Sequence, residues 1–402
     1  MKTYSQINQR ISEGNAVVMT KHEFLQYVKE NGIRKSATDV DVVTTGTFGP
    51  MCSSGVFLNF GHSKPKIKIG GGSCLINGVP AYAGLAAVDV YVGATASRKE
   101  ESHKKPRQFS YGGGHLIHDL VSGKEVEVSL TGYGTDCYPR KRLRTRVTLA
   151  DINEAILCNP RNAYQNYNCA VNLSKRTLYT YMGILKPELG NANYCSACEL
   201  SPLFNDPLYL TIGVGTRIFL GGGIGYVFSH GTQHNPDVLR SDNGTPRLPA
   251  GTLALIGDLK QMKPEWLIGM SIPGYGTTLR VGVGIPIPIL NEDMARFASV
   301  RDDEIFTQVV DYSRSYPLGI PETLGEVSYA NLKSGRITLR GKEVPAANLS
   351  NYHKAIEISK ILKDWILKKR FKLVEPIELL PSAGSGYRFK PMRQSPRGKK
   401  ND

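Results

Sequence analysis

The chain has 402 residues, 41% of them hydrophobic and 21% charged, with a formal net charge of +15. This composition excludes a disordered or fibrous protein and allows one to three domains with a substantial core. No apolar export segment follows Met1, and the longest uncharged stretches, 69–88 and 218–236, are broken by Gly, Pro, Asn or His, so no membrane span is expected and a cytoplasmic location is. Basic residues collect at 98–107, at 139–146 and from Lys360 onward, without a zinc-finger, RNP or helix-turn-helix pattern, so nucleic-acid binding is not expected either.

In chain order, Thr20 and Glu23 form a capping box that predicts a helix with Phe24, Leu25 and Val28 on one face and Gly32 as its stop. A β-branched run at 39–45 predicts a strand leading into "GTFGPMCSSG", after which 53–57 is read as a possible helix opening. Short glycine-broken strands are expected over 64–95, and a half-buried strand over 124–134 runs toward Cys137. "LADINEAIL", 149–157, is read as a short helix capped by Asp151. Gly-punctuated strands follow at 208–228, 251–259 and 277–290, then a helix over 292–300 with acidic residues at its start. Strands and helices mix without a regular βαβ rhythm. The expected class is α+β, or an irregular α/β, with Gly-rich mixed sheets and flanking helices rather than a barrel.

Three segments are expected: a catalytic α/β core over 1–320, a small β unit plus C-terminal helix packed on the core over 321–376, and a basic, disordered tail over 377–402. In the second, Ile358, Ile361, Leu362 and Trp365 fall at i, i+3, i+4 and i+7 of a helix starting near Ser350 or Asn351. That stripe reads as packing on the core or on another subunit, which leaves a homo-oligomer open.

Seven cysteines occur in a chain without an export signal, so catalytic, redox or metal roles compete with plain packing, and a disulfide scaffold is not expected. Neither Cys52 nor Cys137 has an arginine six residues on, which excludes a phosphatase- or rhodanese-type anion loop, and there is no G-x-S-x-G elbow. Cys195 and Cys198 make a lone C-x-x-C. A zinc ribbon needs a second pair, and only His115 and His118 stand by as substitutes, so local structural thiols are the preferred reading and no metal is assigned. Cys74, Cys158 and Cys169 read as small buried hydrophobes. Cys52 and Cys137 differ, because each follows a predicted strand in a loop rich in Gly, Thr and Pro. Arg140, Lys141 and Arg142 follow Cys137, and nearby cations favour the nucleophilic thiolate.

The motifs "TGTFGPMCSSG", "YGGGHLIHDLVSGK", "GYGTDCYPRK", "ELSPLFNDP", "GVGTRIFLGGGIGYV", "HGTQHNP" and "EVSYANLKSG" together resemble the homocysteine biosynthesis protein family, the L-aspartate semialdehyde sulfurtransferases of anaerobic archaea and bacteria. The likeness runs in order from about residue 5 to residue 375. It implies conversion of aspartate 4-semialdehyde to homocysteine, with sulfur from a sulfide or persulfide donor and two reducing equivalents. The family's two working cysteines map onto Cys52 and Cys137. One would carry a persulfide that attacks the aldehyde carbon, and the other would resolve the mixed species to a Cys52–Cys137 disulfide, with Cys52 preferred as the persulfide carrier. His115, His230 and His234 are the candidates for the acid that protonates the departing oxygen. Arg217, alone in an apolar Gly-rich segment, is the candidate for the substrate carboxylate, with Arg140 beside Cys137 as a second binding residue. Archaeal relatives commonly continue into paired CBS domains, whereas this chain ends in a basic tail, so nucleotide regulation through such modules is not expected. No cofactor is expected on the chain itself; electrons would come from a separate ferredoxin-like iron–sulfur protein. The alternative reading is a sulfur-relay protein that carries a persulfide without a carbon substrate of its own.

Overall fold

The structure, a computed structural model, describes residues 1–98, 110–314, 322–390 and 392. Most of the basic run at 98–107 and the end of the basic tail lie outside the described residues. The fold is mixed α and β, as expected. Its largest element is a nine-stranded antiparallel sheet. Strand Gly55–Asn59 lies near one edge, between Asp89–Gly93 and Glu154–Asn162. The sheet continues through Leu253–Asp258, Gly223–His230 and Arg217–Leu220 to the long strand Gly276–Gly284, on which the short strand Thr47–Pro50 also pairs. A second sheet of six strands is mixed, with Asn168–Val171 and Ala192–Tyr194 at its centre. Strand Glu322–Ser328 pairs with Phe306–Asp311, and Lys342–Asn348 pairs in parallel with Ala192–Tyr194. A four-stranded sheet carries the Cys137 loop between its strands Val126–Thr131 and Arg142–Val147.

Several elements follow the sequence closely. Thr20 caps the helix Lys21–Asp39 with a full capping box. Asn291 caps Glu292–Ala298, and Asn351 caps Tyr352–Leu367. In that last helix Ile358 and Leu362 are fully buried and Ile361 and Trp365 are partly covered, so the apolar stripe is core packing. Two glycines let the helix come close. A Cβ on Gly46 would lie 2.3 Å from the Ala355 carbonyl oxygen, and one on Gly284 would lie 2.7 Å from Ile358 Cγ2.

Three local expectations are corrected. Gly32 does not stop its helix: it takes a left-handed φ of 76° as a kink, and helix resumes to Asp39, which leaves only Val42–Thr44 as strand. Residues after Cys52 open a strand, not a helix, because Gly55–Asn59 is held by neighbours on both sides. "LADINEAIL" is a single 3-10 turn, Leu149–Asp151, followed by strand from Glu154; Ala155 and Leu157 face inward while Ile156 faces out, a period of two that outweighs the local helix signal. Part of the basic tail is docked: Glu378–Leu379 pairs with Gly213–Val214, and Leu380 is buried. No described helix is long and apolar enough to cross a membrane.

Candidate active site

Cys52 sits in the turn between Thr47–Pro50 and Gly55–Asn59, half-buried, at the wall of a cavity of about 340 Å³. The turn is fixed from several directions. Ser54 donates its backbone N–H to the Met51 carbonyl at 3.1 Å and its hydroxyl to the same oxygen at 2.8 Å. Asn159 Nδ2 donates to Ser54 Oγ at 3.0 Å, and Ser53 Oγ donates to the Arg161 carbonyl at 2.9 Å. The Cys52 turn is thereby tied to strand Glu154–Asn162.

At that junction the strand carries a bulge. Asn159 pairs with Leu255, but Asn162 pairs with Leu253, so one extra residue is accommodated between them. Bulges re-aim side chains, and Arg161 in this one lines the cavity. Among the described residues, no carboxylate pairs with Arg161. Tyr164, Tyr167, Tyr181 and Tyr275 also line it. Tyr167 and Tyr181 share a 2.6 Å hydroxyl contact, and Tyr181 continues to Tyr312 at 3.0 Å. Burial raises Tyr164 and Tyr181 above the ordinary tyrosine pKa, so both phenols stay protonated at neutral pH and act as donors.

Cys195 enters the same cavity from the six-stranded sheet. Its segment is anchored by Asn348, whose Nδ2 donates to the Ser196 carbonyl at 2.8 Å and whose Oδ1 accepts from Ser350 N–H at 2.9 Å. Cys198 turns away, fully buried beside Phe204 and Tyr329. Among the described residues, no group of three or more His, Cys, Asp and Glu side chains is disposed to hold a metal.

The other sequence candidates lie elsewhere. Cys137 is exposed and lines a separate open depression with Lys68, Tyr133 and Tyr138. Its loop packs on residues beyond the far end of Gly55–Asn59: Tyr138 meets His62, and Arg140 donates from Nη2 to the Lys64 carbonyl at 2.7 Å. Cys52 precedes the near end, so a five-residue strand, roughly 15 Å at about 3.3 Å per residue, separates the two thiols. The structure does not bring them together. Arg217 lies with its guanidinium 5.0 Å from the Phe371 ring, outside the cavity. His115 stacks on Tyr111. His234 is buried, with Nδ1 accepting from Thr252 N–H and Nε2 donating to the Pro381 carbonyl at 2.8 Å; burial lowers its pKa and keeps it neutral. His230 contacts the Tyr387 hydroxyl at 3.1 Å. None of these three histidines lines the cavity, although Gln233, next to His234, does.

Comparison with known proteins bears directly on this site. Residues 16–373 match the family described as homocysteine biosynthesis enzyme, sulfur-incorporation. The chain belongs to that family. A protein of Methanosarcina acetivorans, named L-aspartate semialdehyde sulfurtransferase, is 48% identical over 398 residues, covering 98% of this chain and 75% of its own length. One of Methanocaldococcus jannaschii with the same name is 47% identical, with the same two coverages. An uncharacterized Methanothermobacter thermautotrophicus protein is 30% identical over 83% of this chain and 72% of its own. No solved structure matches the chain. Within this family of sulfur-incorporating enzymes, the cavity brings together a thiol, neutral phenols and a guanidinium that no carboxylate pairs among the described residues. Arg161, the tyrosines and Cys195 were missed on sequence; the aromatic, Asn-rich run "NAYQNYNC" at 162–169 was the available signal.

Proposed function

We propose that this chain is an L-aspartate semialdehyde sulfurtransferase that forms L-homocysteine, with Cys52 as the thiol that carries the sulfur. The observation that carries this reading is the half-buried Cys52 facing a cavity whose lining arginine has no carboxylate partner among the described residues. Its volume of about 340 Å³ falls at the low end of ligand pockets, roughly 300–1,000 Å³, and suits a small amino-acid aldehyde.

Arg161 receives the α-carboxylate in a charge-assisted, bidentate contact. The aldehyde carbon then meets sulfur held on Cys52. Covalent attachment divides a difficult step in two. Tyr164 or Tyr181 donates a proton to the carbonyl oxygen, which finally leaves as water, while the carbon takes up two electrons supplied from outside the chain by a ferredoxin-like carrier. The sulfur arrives at the sulfane level from a persulfide or polysulfide; sulfide loads Cys52 only by opening an oxidised Cys52 disulfide, and breaking the bond between Cys52 and the transferred sulfur takes a further electron pair from thiols or the same carrier. Cys137, open to solvent, exchanges with the external sulfur or electron carrier; His115, His234, Arg217 and Arg140 support the surrounding structure.

The test is direct. Purified protein is incubated anaerobically with the semialdehyde, inorganic polysulfide and a low-potential reductant, and homocysteine is measured by mass spectrometry. Formation by the wild type and its loss in Cys52→Ser uphold the reading. No calorimetric binding of semialdehyde, with Cys52 still taking sulfane sulfur from polysulfide, would mark a sulfur-relay protein instead.

A further inference from the structure

Two thiols, not one, open into the cavity. Cys195 Sγ lies 3.3 Å from Ser350 Oγ, and it packs so close under strand Thr47–Pro50 that a Cβ on Gly49 would be 3.4 Å from it. Gly49 stands three residues before Cys52, on the tight turn already described. Tyr164 feels the charge of both thiols, and each lines the same space. Cys137 and the other cysteines do not line it.

Resting on the function proposed above, we propose that Cys195 is the resolving thiol for Cys52, attacking Cys52 Sγ after the transferred sulfur has bonded to the substrate carbon. The Cys195–Cys52 S–S bond forms, and the bond between Cys52 Sγ and the transferred sulfur breaks. The electron pair of the broken bond leaves with the transferred sulfur, which departs as the thiolate of a thiohemiacetal and is protonated in place of Cys195. The two cysteine sulfurs together lose two electrons and the transferred sulfur gains two. Loss of water then gives a thioaldehyde. An external dithiol or low-potential electron carrier supplies two electrons to that carbon and two more to reopen the disulfide.

The surroundings give this order a physical basis. Burial pushes the Cys195 thiol up, the Ser350 contact and Arg280 pull it down, and a negative Cys52 raises it further. A negative charge on Cys52 thus opposes ionisation of Cys195. A neutral carbon–sulfur adduct on Cys52 removes that opposing charge, which shifts the balance at Cys195 toward the thiolate. The C-x-x-C of the sequence is thus divided, with Cys195 facing the chemistry and Cys198 in the core.

Non-reducing peptide mapping of full-length protein loaded with inorganic polysulfide and treated with a mild thiol oxidant tests this without semialdehyde. A linked Cys52–Cys195 peptide is expected in the wild type and in Cys137→Ser. In Cys195→Ser, sulfide release from loaded Cys52 should slow at least ~10-fold. A Cys52–Cys137 linkage in its place, or wild-type release from Cys195→Ser, overturns the proposal. If the linkage forms but no homocysteine is made from semialdehyde, the functional reading fails and the thiol pairing stands.

Discussion

Cys52 and Cys137 look alike in sequence and differ in space. Both follow a strand and both sit among Gly, Pro and Thr. Cys52 is gripped by Ser54, Asn159 and Ser53 against a neighbouring strand and faces a cavity lined by Arg161, which no carboxylate pairs among the described residues. Cys137 rides on an exposed hairpin loop whose side-chain partner is Thr135 Oγ1, 3.5 Å away. A loop motif tells that a thiol is accessible to chemistry; only long-range pairing tells whether a substrate can be enclosed around it. The enclosed thiol suits carbon chemistry and the open one suits exchange with a protein too large for the cavity.

The largest effect should come at the enclosed site. Cys52→Ser should lower homocysteine formation at least ~10³-fold, since removal of a covalent nucleophile leaves only binding. Cys74→Ser, at a buried position where the thiol is pushed up to about 12 by burial, should leave it unchanged. Equal rates in the two variants would erase the distinction between the regions. Next, Arg161→Met should reduce kcat/KM about 10²-fold, mainly through KM, because it removes a charge-assisted anchor; Arg217→Met should change KM little. The reverse result would return the carboxylate to the place the sequence suggested. Third, Cys137→Ser should lose about 10-fold or more with a protein electron donor yet keep most activity with inorganic polysulfide and a chemical reductant, as the proposed exchange role of the open thiol requires. Equal losses under both conditions would move Cys137 into the carbon chemistry.

Much of the scaffold was legible. The capping box at Thr20, the acidic start of Glu292–Ala298 and the stripe of Ile358 and Leu362 report local periodicity and end effects, which a sequence displays directly. Cys52 stood out in the sequence because its glycines and serines are adjacent in the chain, and the structure places it at the cavity wall. The rest of the cavity was not, because its parts meet only through sheet registry. Arg161 is aimed by a bulge that exists solely as a mismatch between Asn159–Leu255 and Asn162–Leu253 pairing. Cys195 reaches Gly49 across two sheets. Arg217 attracted notice as a charge among apolar neighbours, and the Phe371 ring, far along the chain, accounts for it.

The smallest effect concerns a buried cation that interacts with Glu199, in the segment that carries Cys195. Lys21 is buried and donates to the carbonyls of Ala298 and Val300 at 2.7 and 2.6 Å. Burial lowers its pKa from 10.5 to about 7, against the opposing pull of Glu199, Asp302 and Glu304. Glu199 belongs to the segment that carries Cys195, and its N–H donates to Asp302 Oδ1 at 2.8 Å. The folded chain therefore holds the Lys21 proton less tightly than the unfolded chain. Between about pH 7 and 10.5 the unfolded state binds more protons, so this residue's contribution to stability is least below pH 7 and rises with pH across that window. Urea unfolding of wild type and Lys21→Met isolates it from the tyrosines and cysteines that titrate in the opposite sense. The wild-type midpoint should gain on that of the variant from pH 7 to pH 9, while alkylation of Cys137 by iodoacetamide proceeds at the same rate in both folded proteins. A flat difference would mean that Lys21 keeps its proton throughout; a changed Cys137 rate would mean that the two regions share more structure than their separate sheets imply.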